Sequence, residues 1–547
     1  MILSANITEK SMGSKLLLKD FSLSLQENQK IAIIGRNGVG KSTLLGLLDG
    51  SDDEYMGDVN LKKGAVVMST RQEHTGVGDV TVLEYILSEL PEFSVLKHCI
   101  DHYPKLTHPT HQQLEEYSDA IERFGVLDYY RAEDKVIQEL ERYQLGLKVA
   151  KSPLKHLSGG QKRFVELVKI AESHVDLALI DEPTNHMDYI AKAEFITWLN
   201  ASKCAVVLVS HDRDVLAGVD AIIEIKDHQA HMTPGGYDKY LQLNSHSTLQ
   251  GIGQYEIQLK TLDNLKKQLA SAQQKKLRCK QNPNPFVPLV RRFEKQIAEL
   301  ETNLNKPSFW IDQDSIAGQQ KKTIDKYDKY KSRNISVKTD QFKKNHQELM
   351  QINNLSLGYT TPLFKDISCI VSTGDRVELR GRNGAGKSTL VKAILDTSTR
   401  TNLQSKVYDG FIEPSANLSI GYYEQEITAD VLDLTLCEAI EQVYRLANKS
   451  INLEKINSLA HQYLFEPDRD LQLKLRNLSG GQKARFQLIK MLCSEPNLLV
   501  LDEPTNHLDL PSIEELEKAL VSYTGAILYV SHDNYFRDKL KGDIINI

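Results

Sequence analysis

The chain has few cysteines, and they do not gather anywhere. Six are spread over 547 residues (Cys99, Cys204, Cys279, Cys369, Cys437 and Cys493), with no CxxC pair. That spacing argues against a zinc module, an iron–sulfur cluster or a disulfide framework, and it suits a reducing cytosol. Long apolar runs are missing as well. No stretch of about 18 apolar residues occurs and no charged-then-apolar leader is found, so the sequence predicts neither a membrane span nor secretion. A large net charge is also absent. The formal charge is -6, which by itself implies no polyanionic partner. Its distribution is uneven, however: Gly251 to Asn345 holds 20 Lys+Arg against 10 Asp+Glu. Such segregation bears on partners rather than on fold.

What is present is a repeat. IAIIGRNGVGKSTLLGLL (Ile31–Leu48) returns as VELRGRNGAGKSTLVKAI (Val377–Ile394), and LSGGQKRFVELVKI (Leu157–Ile170) as LSGGQKARFQLIKM (Leu478–Met491). LALIDEPTNHMD (Leu177–Asp188) returns as LLVLDEPTNHLD (Leu498–Asp509), and VLVSHD (Val207–Asp212) as LYVSHD (Leu528–Asp533). Four blocks in one order, twice, describe a tandem duplication of one nucleotide-binding domain. Lys41 and Lys387 are 346 residues apart, whereas Ser158 and Ser479, like Glu182 and Glu503, are 321 apart. The first copy therefore carries 25 extra residues, expected within about 83–151. The expected domains are a first cassette at 1–240, a basic helical linker at 241–346 and a second cassette at 347–547. The expected fold class is α/β.

GRNGVGKS and GRNGAGKS match GxxxxGK[ST] between an apolar strand-like run and a helical pattern, the context this motif requires. Gly35, Asn37, Gly38 and Gly40, with Gly381, Asn383, Gly384 and Gly386, let the backbone wrap a phosphate with its N–H groups. Lys41 and Lys387 are expected to reach the β- and γ-phosphates of ATP. Ser42 and Ser388 are expected to ligate magnesium, and Thr43 and Thr389 beside them to contact ATP. Asp181 and Asp502 end apolar strand-like runs and can hold magnesium. The adjacent Glu182 and Glu503 can act as general bases on the attacking water.

Phosphate loop, LSGGQ, DEPTNH and switch histidine together resemble the ATP-binding cassette superfamily over about 440 of the 547 residues. The resemblance implies that two cassettes close head-to-tail within one monomer on two ATP molecules. Ser479, Gly480 and Gly481 would then complete the site of Lys41, and Ser158, Gly159 and Gly160 the site of Lys387. It also implies that His211 and His532 contact the γ-phosphate. Gln72 and Gln425 would contact magnesium and water, and Asp188 and Asp509 would be D-loop aspartates. Tyr359 fits the family's adenine-stacking aromatic, while the first copy offers only Met12 there, a weaker contact. Two competent sites of unequal affinity are expected.

KLRCKQNPNPFVPLVRR (Lys276–Arg292) lies between the cassettes, with five basic residues, three prolines and no acid. Val290, Phe293, Ile297, Leu300 and Leu304 recur at coiled-coil spacing, and Tyr255, Leu259, Leu262 and Leu269 form a rougher stripe before them. The spacing predicts an antiparallel helical hairpin with its bend at Asn282–Pro288 and its tip near 279–288. A first helix of about 40 residues would extend roughly 60 Å. Lys275, Lys276, Arg278, Lys280, Arg291 and Arg292 crowd the bend and suit phosphate contacts, with Phe286 as an apolar tip residue. A second basic run, Lys321–Asn334, interleaves lysines with Tyr327 and Tyr330.

Tandem cassettes, DEPTNH[LM]D twice, a small arm in the first cassette and a charged helical linker resemble the ABC-F translation factors. The resemblance implies a cytoplasmic ATPase that binds the 70S ribosome at the tRNA exit site, with no membrane and no DNA partner. Its linker would reach ribosomal RNA, the peptidyl-site tRNA and the peptidyl-transferase centre. A short arm with a lengthened linker favours protection of the ribosome from antibiotics, with relief of stalled translation as the alternative. An ATPase subunit docked on a separate permease, or a nucleic-acid repair ATPase, are rivals from other classes.

Overall fold

The structure, a computed structural model, describes residues 1–13, 15–71, 77–108, 110–185, 187–279, 285–303, 347–399, 405–424, 427–463, 465–478, 480–506 and 508–547. By contacts it divides into two compact units, Met1–Met232 with Asn334–Ile547, and Thr233–Arg333. The first unit holds two α/β cassettes.

Each cassette is built on a mainly parallel sheet whose strands are apolar without alternation, because helices cover both faces. Leu177–Asp181 and Ala205–Val209 are buried at every position, as are Leu498–Asp502 and Ala526–Val530. In the first cassette the order runs Val67–Ser69, Leu177–Asp181, Ala205–Val209, Lys30–Gly35, Ala221–Lys226, Gln229–Pro234. In the second it runs Ile420–Tyr423, Leu498–Asp502, Ala526–Val530, Arg376–Arg380, Asp543–Asn546, all parallel. Three neighbouring strands thus deliver the phosphate loop, the Asp–Glu pair and the switch histidine to one edge, outside their carboxyl ends. A three-stranded antiparallel sheet flanks each core. There Leu3–Met12 buries alternate residues toward the core, as a one-sided strand should.

The arm is longer than the net excess of 25 suggests. Thr81 and Thr435 are matching landmarks, each closing a capping box with a glutamate three residues on. Thr81 lies 77 residues before Ser158, but Thr435 only 44 before Ser479, a difference of 33. The second cassette recovers eight of these upstream, since Lys387 to Thr435 spans 48 residues and Lys41 to Thr81 spans 40. The added length carries the helices Phe93–His102 and His111–Val126, which pack on each other.

In the second unit, Tyr237–Arg278 is one helix of 42 residues, about 63 Å long at 1.5 Å per residue. It starts ahead of the expected boundary at 240/241. It packs on the helix Val287–Asn303, and Lys266 Nζ lies 2.7 Å from Glu301 Oε1. That pairing joins residues similarly far from the bend and gives an antiparallel hairpin. The first helix ends at Arg278 and the second begins at Val287, so the connection lies earlier in the chain than Asn282–Pro288. Pro288 falls in the first turn of the second helix, where its missing N–H removes no hydrogen bond. Ile252, Leu262, Ala272, Val290 and Ile297 are buried, whereas Tyr255, Leu259, Leu269, Phe293 and Leu300 are half-buried. Leu304 and the run Lys321–Asn334 lie outside the described residues. Among the described residues, no helix is long and apolar enough to cross a membrane.

Candidate functional site

The phosphate loops come first. Gly38 and Gly40 (φ 80 and 102) and Gly384 and Gly386 (φ 82 and 107) take left-handed conformations that turn successive N–H groups the same way. A Cβ at Gly386 would stand 2.9 Å from the Phe364 ring, so only glycine fits. Lys41 Nζ donates to the Gly35 carbonyl at 2.9 Å and Lys387 Nζ to the Gly381 carbonyl at 2.8 Å, which curls each ammonium into its own loop. Burial lowers the pKa of both, although Glu182, Asp509 and Asp181 around Lys41, and Glu503, Asp188 and Asp502 around Lys387, pull the other way. A buried, incompletely compensated cation beside a row of N–H donors is suited to an anionic phosphate.

Each D-loop carboxylate divides its two oxygens between the cassettes. Asp188 Oδ1 accepts from the Ala191 N–H of its own helix at 3.0 Å, and Oδ2 from the Asn383 N–H of the opposite phosphate loop at 3.1 Å. Asp509 repeats this with Ser512 N at 3.1 Å and Asn37 N at 3.2 Å. Burial alone would raise both carboxyls. The backbone bonds at Asp188, and the Ser512 hydroxyl with the His211 environment at Asp509, outweigh it and hold both below the ordinary value.

Glu182 and Glu503 share an unusual backbone. Their φ values of 46 and 49 are left-handed, although neither is glycine. Each amide donates to the end of the neighbouring strand, Glu182 to the Val209 carbonyl at 2.9 Å and Glu503 to the Val530 carbonyl at 3.0 Å. Strain held in place at a carboxylate in both copies marks a functional position. Burial pushes both carboxyls up to about 8, with the neighbouring Asp181 and Asp502 adding to it. Burial, with Lys41 or Lys387 nearby, pushes His211 and His532 down to about 3, so both are neutral at pH 7. Nε2 of His211 lies 3.5 Å from Glu182 Oε1, and that of His532 lies 3.2 Å from Glu503 Oε1. Both ring nitrogens of His211 and Glu503 Oε1 are buried without a hydrogen-bond partner. Such orphaned groups await a polar occupant.

For magnesium, the Asp502 carboxylate accepts from the Ser388 hydroxyl, and burial raises the Asp502 pKa against that bond. Two hard oxygens at the mouth of a phosphate loop fit magnesium, which takes one or two carboxylates and completes its shell with phosphate and water. Asp181 and Ser42 are their counterparts. Gln72 and Gln425, the other expected ligands, lie outside the described residues, but the chain beside each is tied down. Arg71 N donates to Glu166 Oε2 at 2.9 Å, and the Glu424 carbonyl accepts from Gln487 Nε2 at 3.2 Å. Glu166 and Gln487 occupy equivalent turns of the two signature helices, Gly159–Glu172 and Gly480–Leu492.

Ser158 caps its signature helix through a capping box with Gln161. With Gly159 and Gly160 it lines a cavity of about 1000 Å³ whose opposite wall is Gly384, Gly386, Lys387, Ser388, Thr389 and Tyr359, so the first signature faces the second phosphate loop. Ser479 lies outside the described residues, and Gly480 and Gly481 open the other signature helix. Tyr359 is 55% exposed on its cavity; Met12, 70% exposed, lines a separate 310 Å³ cavity with Ser42 and Thr43. Tyr143 and Phe164, stacked at 5.1 Å, and Lys192 also line the larger cavity. None of the three was expected. Lys192 had a readable signal, because its equivalent 321 positions on is Ile513.

At the hairpin's bend, Lys275, Lys276, Arg278, Arg291 and Arg292 are exposed and Phe286 is half-buried, while Lys280 lies outside the described residues. Leu277, at 83% exposure among these cations, is an apolar tip residue the sequence reading missed.

A family model described as ABC transporter matches residues 18–185 and 364–506. YdiF of Bacillus subtilis (strain 168), named for ATP binding, is 30% identical over 556 residues, 100% of this chain and 80% of that protein. ABC transporter F family member 5 of Arabidopsis thaliana is 27% identical, covering 98% of this chain and 74% of that protein. The energy-dependent translational throttle protein EttA of Mycobacterium tuberculosis is 27% identical, covering 97% and 88%. Among solved structures, the archaeal ribosome recycling factor aABCE1, in complex with ribosomal stalk protein aP1, superposes with a TM-score of 0.57 at 16% identity, over 99% of this chain and 87% of that one. That likeness shows the shared fold. With both cassettes matched and relatives aligned along the whole chain, this chain is an ATPase of the ATP-binding cassette family, in its ABC-F branch.

Proposed function

We propose that this chain is a translation ATPase that binds the 70S ribosome while its cassettes are closed on ATP, and leaves after hydrolysis. The observation that carries this is the cluster of exposed cations at the bend of a hairpin whose first helix runs 42 residues. Cations held far along a stiff helical pair suit a phosphate backbone. The relative named as a translational throttle, aligned over 97% of this chain, supports the same reading. The protein would act in the cytoplasm as a monomer. Its linker would enter the tRNA exit site, and its tip would contact ribosomal RNA and the tRNA beside the peptidyl-transferase centre.

In the catalytic cycle, the phosphate-loop amides with Lys41 or Lys387 bind the β- and γ-phosphates. The opposing signature serine and glycines close on the γ-phosphate, Ser158–Gly160 at the Lys387 site and Ser479–Gly481 at the Lys41 site. Ser42 with Asp181, and Ser388 with Asp502, would hold magnesium together with Gln72 and Gln425, and the bound ion would supply positive charge beside the phosphates. Glu182 and Glu503 take the proton from water as it attacks phosphorus, while His211 and His532, neutral, orient the γ-phosphate. Each D-loop aspartate joins one site's phosphate loop to the other's helix, so the two sites close together. Adding 70S ribosomes should accelerate phosphate release several-fold, and reversing the tip charges should abolish that stimulation. Unstimulated turnover with purified ribosomes would refute the proposal.

Antibiotic protection is a second reading, favoured by the pairing of a 33-residue arm with so long a linker helix. Expression in a susceptible bacterium should raise inhibitory concentrations for at least one drug class acting at the peptidyl-transferase centre. Unchanged values for macrolides, lincosamides, streptogramin A, pleuromutilins and oxazolidinones would leave only the regulation of ordinary translation.

A further inference from the structure

Beyond the D-loop pair, the contact between the cassettes is not symmetric. Lys192 sits on the helix Tyr189–Ala201, one turn after the D-loop aspartate that caps it, with 6% of its side chain exposed. Its ammonium has three N–H donors and three acceptors. Two are carboxylates of its own cassette, Asp212 Oδ2 at 2.9 Å and Asp214 Oδ2 at 2.5 Å. The third is across the interface, the carbonyl of His532 at 3.3 Å. The same stretch of the first cassette is tied down twice more. Asp214 accepts from Asn534 Nδ2 at 2.7 Å, and Arg213 pairs with Glu517 at 2.8 Å, where both side chains are buried.

The Lys192–His532 and Arg213–Glu517 contacts have no reciprocal counterpart, whereas Arg213 and Tyr535, the positions matching Asn534 and Asp214, meet with the guanidinium 5.3 Å from the ring centre. By the 321-residue offset, Lys192 corresponds to Ile513, Arg213 to Asn534, Asp214 to Tyr535, and Ile196 to Glu517. The second cassette therefore has no donor at position 513 to hold the carbonyl of His211. The consequence falls on one catalytic pair. His532 N donates to Glu503 Oε2 at 3.3 Å, and His532 Nε2 stands 3.2 Å from Glu503 Oε1. Fixing the His532 peptide fixes the group that orients Glu503.

We propose that Lys192 is a positioning residue for hydrolysis at the Lys387–Glu503–His532 site, transmitting closure of the first cassette to the second cassette's switch loop. Its charge is balanced inside its own cassette, so the donor facing His532 is preorganised and finds its acceptor only when the cassettes meet. The His211 carbonyl of the Lys41–Glu182–His211 site lacks this brace; the first cassette's switch loop is held across the interface instead by Arg213 with Glu517 and Asp214 with Asn534. The assignment rests on the reading that Glu503 and His532 carry turnover at their site.

The test is single-turnover phosphate release by the full chain in two backgrounds, Glu182→Gln, which leaves only the Glu503 base, and Glu503→Gln, which leaves only the Glu182 base. In the Glu182→Gln background, Lys192→Met should slow the rate roughly tenfold, the scale of losing one charge-assisted hydrogen bond. Half-saturating ATP should stay within about twofold, and Lys192→Arg should restore most of the rate. In the Glu503→Gln background the slowing should be at least about threefold smaller. Met at 192 removes the cation that the half-buried Asp212 and Asp214 share, so Lys192→Met with Asp214→Asn serves as the folded control, checked by its melting temperature. Equal slowing in both backgrounds would reduce Lys192 to a general interface contact and overturn the proposal. Full activity of the folded double variant would also overturn it. If Glu503→Gln alone left the wild-type rate intact, the assignment of Glu503 would fall first, a result distinct from either.

Discussion

Glu182 and Glu503 combine a left-handed backbone, burial and a carboxyl pushed up to about 8. The sign follows directly. A general base works as the carboxylate, so kcat/KM for ATP should rise with pH up to about 8 and then level off. The same shift costs stability. A carboxyl whose folded pKa lies above its unfolded value stabilises the fold only while protonated, and that contribution is lost as pH rises from about 4.5 to about 8. The nucleotide-free Glu182→Gln, Glu503→Gln protein should therefore melt above wild type, with a gap that widens between pH 5 and pH 8 in a calorimetric series. A gap independent of pH would contradict the shift. The base platforms give a second residue-scale prediction. Tyr359→Ala should weaken ATP binding at the Lys387 site by about 1–3 kcal/mol, the scale of base–aromatic stacking, while Met12→Ala costs less at the other site. Isothermal titration should resolve two affinities in wild type and bring them closer in Tyr359→Ala. Equal affinities in wild type would defeat this asymmetry.

Among the elements, the signature helix Gly159–Glu172 does more than present Ser158. Glu166, fully buried, accepts from the Tyr85 hydroxyl at 2.6 Å, from Lys169 at 2.6 Å and from the amide of Arg71 at 2.9 Å, which anchors the chain entering Gln72. Removing one member of such a buried pair costs about 3–5 kcal/mol. Glu166→Ala should lower the melting temperature by about 10 °C, and Glu166→Leu with Lys169→Met should recover most of it. If both variants melt like wild type, the pair is not a support. At this scale the sequence was legible wherever a local rule sufficed. Unbroken apolar runs gave the parallel strands, the glycine motifs gave the left-handed turns between strand and helix, and the heptad stripe gave the hairpin. The rest depends on pairings distant in the chain. Counting from motif to motif hid eight residues of compensation in the second cassette, and with them the arm's full length. The proline run placed the bend too far along, because proline is also welcome in a helix's first turn. Nothing local foretold that Lys192 would find an acceptor 340 residues away, or that two glutamates would sit at positive φ.

For the whole molecule, the central claim is that ATP-driven closure of two cassettes controls binding of a basic hairpin to ribosomal RNA. The resemblance of the motifs implied cassettes set head-to-tail, Asp188 and Asp509 each accept from the opposite phosphate loop, and charge segregation pointed to the linker despite a net charge of only -6. Because phosphate contacts release counterions, the tip's share of binding should also fall steeply as salt rises. The most direct test sediments the tagged Glu182→Gln, Glu503→Gln protein, able to bind ATP but not to turn it over, with 70S ribosomes in the presence and absence of ATP. The account predicts co-sedimentation that requires ATP and is lost when Lys275, Lys276, Arg278, Arg291 and Arg292 are all changed to Glu. A trapped protein that stays in the supernatant with ATP bound, or that pellets regardless of nucleotide and tip charge, would contradict it.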